Sequence, residues 1–341
     1  IGWTAVNTFI AAQSVGLILT QLLGWPSFGQ PGGAKGLVVG IIVMSILHIL
    51  SVSAGSRSIQ MIERLGIILV LVFVIWESVA VFKTVSLTEI AHWQVPAKAR
   101  MTTGAAIDYV AAFNLAWVTA GADFTRFTPS RANSVVSPFV GAMVGVLWFA
   151  FIGLISTISI AITSGAYNAN NSDPSTIAAK LGLGVIALLV IVLTSMTANA
   201  VNLLGAGSAL SNIFPKLNLK LALWIVVILA TVVTLIPMFV GSFLDTFESF
   251  LDYVAMVLGP TIAIICTDFY WKAKRHYQVK EFGRVKGRYW YKGGVNPAAI
   301  ITFVVGVVIF LACQKQTFFV NTVGITFIDM VVSSLLYMVL S

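Results

Sequence analysis

Long apolar stretches alternate with short polar connectors along the whole chain. Most stretches are about 18–25 residues, the length that a helix needs to cross the hydrocarbon core of a bilayer. Runs such as 181–193 do not alternate between polar and apolar residues, as the strands of a membrane barrel do. The pattern therefore predicts an all-α integral membrane protein with about ten spans, and a single polytopic domain over 1–341. The predicted spans are 1–24, 34–52, 61–83, 105–122, 136–164, 181–204, 220–243, 249–271, 297–313 and 320–340.

Composition supports this class. Of the 341 residues, 58% are hydrophobic and 9% are charged, whereas a soluble domain carries about 25% charged residues. The imbalance excludes a water-soluble globule, a disordered chain and a disulfide scaffold. Cys266 and Cys313 are far apart and offer neither a disulfide framework nor metal-ligand spacing.

The positive charges are distributed unevenly between the two sides of the predicted membrane. When alternate connectors are placed on opposite sides, 14 of the lysines and arginines fall on one side and 6 on the other. Because positive residues mark the cytoplasmic side, we expect a multi-pass protein of the plasma or inner membrane with a cytoplasmic C-terminus. The net charge of +8 then requires no nucleic-acid partner.

Motifs of enzyme chemistry are absent from the sequence. It contains no HExxH, no GxxxxGK[ST], no CxxC and no GxSxG motif, and its three histidines are far apart. We therefore expect no enzyme, no cofactor and no obligatory protein partner. A channel or a receptor remains an alternative to a transporter.

Polar residues inside the apolar segments are the candidates for function, because polarity at membrane depth is costly. Trp3 and Asn7 are four residues apart and share a helix face. An indole offers a flat stacking surface and a carboxamide offers a donor and an acceptor, so the pair suits a planar, hydrogen-bonding ring. The alternative is an interfacial tryptophan beside an asparagine that bonds to a neighbouring helix.

Two further segments have the same character. In 113–127 glycine and polar residues interrupt an apolar run, which predicts a broken helix that lines a cavity. Asp123 and Arg126 in that segment are spaced to form a gating or a structural ion pair. In 194–202 a stripe of hydroxyl and carboxamide side chains suits either a hard cation or bonding between helices.

The GxxxG pairs Gly36/Gly40 and Gly141/Gly145 predict close helix packing.

Several stretches together resemble the nucleobase:cation symporter family, in its cytosine and purine permease branch. They are GWTAVN (2–7), AGADFTRF (120–127), the Thr/Asn-rich 194–202, GAGSALSNIFP (205–215), TDFYW (267–271) and YWYKGGVNPAAI (289–300). The resemblance implies the LeuT-type inverted-repeat fold of twelve helices. It also implies that the chain carries the third to the twelfth of them and lacks the first two.

The resemblance also implies roles for individual residues. Trp3 matches the stacking tryptophan of the third helix, and Asn7 matches an amide one turn later. The resemblance assigns the other predicted substrate contacts to Phe113, Asn114, Ala116 and Trp117 on the sixth helix and to Asn199 and Asn202 on the eighth. Thr194, Thr197 and Ala198 match the sodium-site region. Family members often have two adjacent hydroxyl residues where this chain has Thr197-Ala198, which leaves Na⁺ and H⁺ open as the coupling ion.

The function that the resemblance implies is symport of a small molecule across the bilayer by alternating access. The expected substrate is a nucleobase, most simply cytosine or a purine, and its import is driven by Na⁺ or H⁺. A permease of the same family for allantoin, a hydantoin or a thiamine-type pyrimidine is the alternative, because the same scaffold would serve for it.

Overall fold

The computed structural model describes residues 1–53, 64–118, 121, 125, 128–240, 242–282 and 284–341, and only the helical backbone over 56–63. Most of the described residues are helical. The all-helical class that the apolar pattern predicts is thereby confirmed. The α-helices are α1 (Gly2–Leu23), α2 (Ala34–Ser53), α3 (Ser56–Thr84), α4 (Leu87–His92), α5 (Thr103–Val118), α6 (Arg131–Ser164), α7 (Pro174–Lys180), α8 (Gly184–Ile213), α9 (Leu219–Thr234), α10 (Ile236–Val240), α11 (Phe243–Thr267), α12 (Pro297–Cys313), α13 (Thr317–Asn321) and α14 (Thr326–Leu340).

Membrane-spanning length is reached by much of this helical structure. Within the described residues, 7 helical stretches are long and apolar enough to cross a bilayer, and α12 and α14 are apolar but shorter. A helix satisfies its own backbone hydrogen bonds, which lipid cannot do, and this is why apolar sequence of this length is helical. The assignment of the segments as the third to the twelfth helices of twelve stays a prediction.

The chain divides into two compact units. The first comprises 1–99 and 129–246, and the second comprises 100–128 and 247–341. In the first unit α8 packs against α1, α2, α3 and α9. One apolar cluster in this unit joins Phe73 and Val74 of α3 to Ile152 of α6 and Leu188 of α8. The prediction of a single domain over 1–341 stays a prediction.

In the second unit a carboxylate of α5 caps α14. Asp108 accepts hydrogen bonds from the backbone N–H groups of Ile325 (2.9 Å) and Thr326 (2.8 Å). These groups belong to the first turn of the helix, where backbone donors lack intrahelical partners. A carboxylate at this end also interacts favourably with the helix dipole.

The structure differs from the predicted span at 320–340. The structure has the short helix α13, then a turn at Gly324 with φ of +71°, and only then α14. Glycine adopts this left-handed conformation without the steric cost of a Cβ atom. The sequence pattern missed the break because the residues on both sides of the turn are apolar.

Close approach of α1 and α2 depends on glycine. A Cβ atom built on Gly40 would lie 2.6 Å from Ala12 Cα, and one built on Gly36 would lie 3.3 Å from Gly16 Cα. The predicted packing role of this GxxxG pair is confirmed. The other pair makes no such contact: in the described part of the chain, a Cβ built on Gly141 or Gly145 has no heavy atom of another helix within 4 Å.

We therefore expect Gly40→Ala to destabilise the protein by about 1–3 kcal/mol, because the added methyl group forces α1 and α2 apart. Gly141→Ala is the matched control. It should leave stability unchanged or raise it, since alanine is the better helix former by about 0.5–1 kcal/mol. Thermal unfolding of the detergent-purified variants measures both effects, and equal midpoints for the two would contradict the assigned helix contact.

Candidate functional site

A buried carboxamide joins three helices of the first unit. Asn199 of α8 is 0% exposed. Its Nδ2 contacts Thr4 O (3.2 Å), Thr8 Oγ1 (3.1 Å) and His48 Nε2 (3.1 Å), and its Oδ1 accepts from Asn7 Nδ2 (3.2 Å) and, at the longer distance of 3.5 Å, from Asn202 Nδ2. We call Thr4, Asn7, Thr8, His48, Asn199 and Asn202 the amide cluster. Asn199 Nδ2 has two hydrogens for these three contacts, and His48 Nε2 can accept one of them when the imidazole carries its proton on Nδ1.

The three asparagines of the amide cluster differ in how many of their hydrogen-bonding groups are engaged by other protein groups. Asn199 uses both its nitrogen and its oxygen within the protein. Asn7 and Asn202 are half-buried, and each gives one N–H to the oxygen of Asn199. A carboxamide has two N–H donors and an oxygen with two lone pairs. Within the described part of the chain, Asn7 and Asn202 therefore each retain one N–H and a carbonyl oxygen, which is the pattern needed to pair with a ring amide.

The sequence predicts three of these residues and misses the other three. Asn7, Asn199 and Asn202 are brought together as the prediction requires, although none of these contacts tests ligand binding. The sequence pattern does not identify Thr4, Thr8 and His48 as site residues. The available signal was the spacing of Thr4 and Thr8, four residues apart on the helix of Asn7, together with a lone histidine in the apolar segment of α2.

Trp3 lies on α1 one turn before Asn7 and is half-buried. Its indole is therefore attached to the same helix as the amide that the prediction pairs with it. The stacking role predicted for Trp3 stays a prediction.

The hydroxyls predicted to hold sodium turn back onto their own helix. Thr194 Oγ1 donates to Ile191 O (3.1 Å), and Thr197 Oγ1 donates to Thr194 O (2.7 Å). Each hydroxyl oxygen keeps lone pairs with which it can accept a cation. Thr197 also faces α3, where a Cβ built on Gly66 would lie 2.8 Å from Thr197 Cβ. The sodium role of Thr194, Thr197 and Ala198 stays a prediction.

The predicted contacts of the sixth helix belong to the second unit, on α5. Phe113 and Ala116 are partly buried, and Trp117 is exposed. Asn114 is exposed and donates to Val110 O of its own helix (2.8 Å). The predicted gating pair, Asp123 and Arg126, lies outside the described residues.

A polar cavity of about 680 Å³ opens in the first unit. Its lining includes Gln13, Asn168, Asn170 and Lys180. Asp173, which is 5% exposed, also lines it and caps α7 by accepting from Ser175 N and Thr176 N, both at 3.0 Å. Burial raises the pKa of the Asp173 carboxyl.

The cavity and the amide cluster share α1. Gln13 Nε2 donates to Thr176 Oγ1 (2.9 Å) and to Asp173 Oδ2 (3.3 Å), and Ser14 and Ser175 hydroxyls are 2.8 Å apart. These bonds dock α7 on α1. Asn7 and Gln13 are six residues apart, which is about 9 Å along a helix axis.

Asn199→Ala should lower stability by about 1–3 kcal/mol, because it leaves half-buried Asn7 and buried Thr8 and His48 without their Asn199 partner. Asn114→Ala is the matched control: its amide is exposed, so stability should change by less than about 0.5 kcal/mol. The midpoint of thermal unfolding in detergent measures both effects. A control that loses as much as Asn199→Ala would refute the structural role of the amide cluster.

Comparison with known proteins agrees with these features. The sequence model of the family described as "Permease for cytosine/purines, uracil, thiamine, allantoin" matches residues 1–338. The putative purine-cytosine permease YxlA of Bacillus subtilis is 27% identical over 292 residues, which is 78% of this chain and 61% of the relative. The allantoin permease of Bacillus subtilis is 25% identical over 371 residues, covering 99% and 71%. The chain thus spans less than two thirds of the first of these relatives.

The fold is that of a solved transporter. The chain superposes on the structure of Mhp1 with a TM-score of 0.69 at 19% identity, over 98% of this chain and 71% of Mhp1. That structure is of a nucleobase-cation-symport-1 family transporter in a closed conformation with bromovinylhydantoin bound. These relatives confirm the expected LeuT-type fold and the multi-pass membrane class. They also confirm the expectation that the chain is not an enzyme, because they are permeases and transporters. This chain belongs to the nucleobase-cation-symport-1 family of permeases.

Proposed function

We propose that the protein is a secondary transporter that imports a nucleobase by alternating access, driven by a cation gradient. Cytosine or a purine is the preferred substrate. On this proposal the protein works in the plasma or inner membrane with its C-terminus in the cytoplasm, as the count of positive residues favours.

The observation that carries the proposal is a difference between Asn199 and the two other asparagines of the amide cluster. Asn199 is saturated by protein groups, and it holds Asn7 and Asn202 with one N–H and one oxygen left on each. We therefore assign ligand contact to Asn7 and Asn202, and we assign Asn199 a positioning role. A ring that alternates N–H and C=O groups along its edge pairs with such amides, and it can stack on Trp3.

A second substrate class has support from the relatives. One of them is named an allantoin permease, and the Mhp1 structure contains a bound hydantoin. Both compounds carry the N–H and C=O groups of a ureide, so the amide cluster would pair with them as it would with a nucleobase. Competition between unlabelled solutes separates the two classes.

Alternating access would move the ligand from one side of the membrane to the other past the amide cluster. On the proposed orientation the cavity lined by Gln13 and Asp173 opens to the outside and serves as the entrance. A coupling ion can favour one state only by binding it more tightly than the other. We place that ion at Thr194, Thr197 and Ala198 if it is Na⁺.

Uptake in cells that lack their own permeases tests the substrate and the site. The intact protein should import labelled cytosine with saturation, and unlabelled purines, uracil, allantoin and hydantoin should be assayed as competitors. Asn7→Ala, Asn202→Ala and Trp3→Ala should each raise KM about tenfold, since a lost contact of about 1.4 kcal/mol is tenfold in affinity. Asn321→Ala, which removes an exposed amide, should leave KM unchanged.

Two results of that assay would count against the proposal in different ways. Saturable uptake that is unaffected by Asn7→Ala and Asn202→Ala would refute the site but keep the transporter. A well-expressed protein that imports neither cytosine nor any of the competitor solutes would refute the transport function.

Dependence on sodium tests the ion. If Na⁺ binds at α8, Thr197→Ala should raise the Na⁺ concentration for half-maximal uptake about tenfold, because it removes one oxygen ligand. Thr163→Ala in α6 is the matched control, since its hydroxyl also bonds back to its own helix at Ser159 O (2.9 Å). Uptake that follows pH and ignores Na⁺ in both proteins would assign coupling to H⁺.

A further inference from the structure

The long connector between α11 and α12 is folded onto the helix ends of the second unit. We call the described residues 268–282 and 284–296 the basic platform. Asp268 accepts hydrogen bonds from Tyr277 Oη (2.6 Å) and from Tyr337 Oη (2.7 Å) at the end of α14. Asn296 Nδ2 donates to the same Tyr337 oxygen (2.9 Å). The platform is thus held where α11 ends, α12 begins and α14 ends, which is one end of three apolar helices.

Aromatic rings of the platform pack against one another. The ring centroid of Tyr277 lies 5.5 Å from those of Phe269 and Phe282 and 5.8 Å from that of Tyr289. Burial, and then the hydrogen bond to Asp268, raise the pKa of the Tyr277 phenol, so it remains a neutral donor at neutral pH. These contacts make the platform an ordered surface rather than an extended linker.

Positive charge covers the outside of this surface. All eight lysines and arginines of the platform are exposed: Lys272, Lys274, Arg275, Lys280, Arg284, Lys286, Arg288 and Lys292. Among the described residues only Arg284 has a carboxylate partner, Glu281 at 2.9 Å. Lys272 lies 5.3 Å from the centroid of the Tyr291 ring, and Arg275 lies 5.2 Å from that of Tyr270. Aromatic faces orient cations in this way while leaving their N–H groups available.

Large apolar side chains are exposed beside the cations. Trp271, at the end of the helical run from α11, is 63% exposed, and Tyr270 and Phe282 are exposed as well. Tryptophan and tyrosine at the ends of membrane helices lie at the level of the lipid headgroups. Clustered lysines and arginines next to a membrane helix attract anionic lipids. The exposed aromatic rings and the clustered cations therefore indicate the same kind of partner, a lipid surface.

We propose that the basic platform binds the headgroups of anionic phospholipids in the bilayer that the protein spans. The phosphate groups would accept from the unpaired lysines and arginines, and the exposed rings would lie among the glycerol backbones. The partner is a lipid rather than a soluble polyanion because the platform sits at the end of α11, whose helical run is long and apolar enough to cross a bilayer, and at the ends of the shorter apolar helices α12 and α14. The proposal is independent of the transported solute.

The test uses the intact protein in detergent, where orientation in a membrane plays no part. Native mass spectrometry counts the phosphatidylglycerol and phosphatidylcholine molecules bound at equal added concentrations, with soluble glycerol phosphate as a competitor. We expect a preference for phosphatidylglycerol that glycerol phosphate does not abolish. The variant K274Q/K280Q/K286Q/K292Q removes four platform charges but none of the residues that form the cation–π pairs or the ion pair. It should weaken phosphatidylglycerol binding at least about tenfold, since each cation near an anionic surface contributes about fivefold before screening.

Two controls keep the proposal falsifiable. K35Q/K83Q/K98Q/K315Q removes the same charge from exposed sites outside the platform and should keep the lipid preference. K274R/K280R/K286R/K292R keeps the platform charge and should keep it too, which also shows that the quadruple change is tolerated. Equal losses in the two glutamine variants, or an unchanged preference in the platform variant, would overturn the proposal. Complete displacement by glycerol phosphate would overturn it in favour of a soluble anion.

Discussion

Inside a bilayer no water is available to satisfy a polar group, so each one must find its partner within the protein. The first unit meets this constraint at Asn199. One carboxamide there ties together α1, α2 and α8, and the bonds run to a backbone carbonyl, a hydroxyl, an imidazole and two other amides. Removal of this group would leave several buried donors and acceptors unpaired at once, so the mutual placement of the three helices depends on it.

The same constraint shapes the rest of the fold. Ser14 and Gln13 bond across to Ser175 and Asp173, which docks α7 on α1. In the second unit Asp108 satisfies the first N–H groups of α14, and Asp268 satisfies two phenols at its far end. Apolar packing alone cannot select one arrangement of helices in lipid, because lipid is as apolar as the side chains. Polar contacts and the close approach at Gly40 make that selection.

The ligand site that we propose depends on the same bonds. The donors and the acceptor of the Asn199 amide are all engaged by protein groups. Its bonds to Asn7 and Asn202 orient those two amides, whose remaining donors and acceptors stay available. A preorganised pair of amides loses little conformational entropy when a ring binds. This arrangement separates the residue that supports the site from the residues proposed to touch the solute, and the sequence stripe on α8 contains both kinds.

The sequence by itself determined the membrane class, the helical structure and the approximate spans, because twenty apolar residues have no stable alternative in lipid. It also marked Asn7, Asn199 and Asn202 as candidates, because polar residues in such spans are costly. Only the tertiary structure decided that Asn199 is saturated while its neighbours are not, that His48 and Thr8 complete the cluster, and that Gly40 packs while Gly141 does not. These outcomes depend on which faces of different helices meet, and residues 151 or more positions apart in sequence give no local signal of their contact.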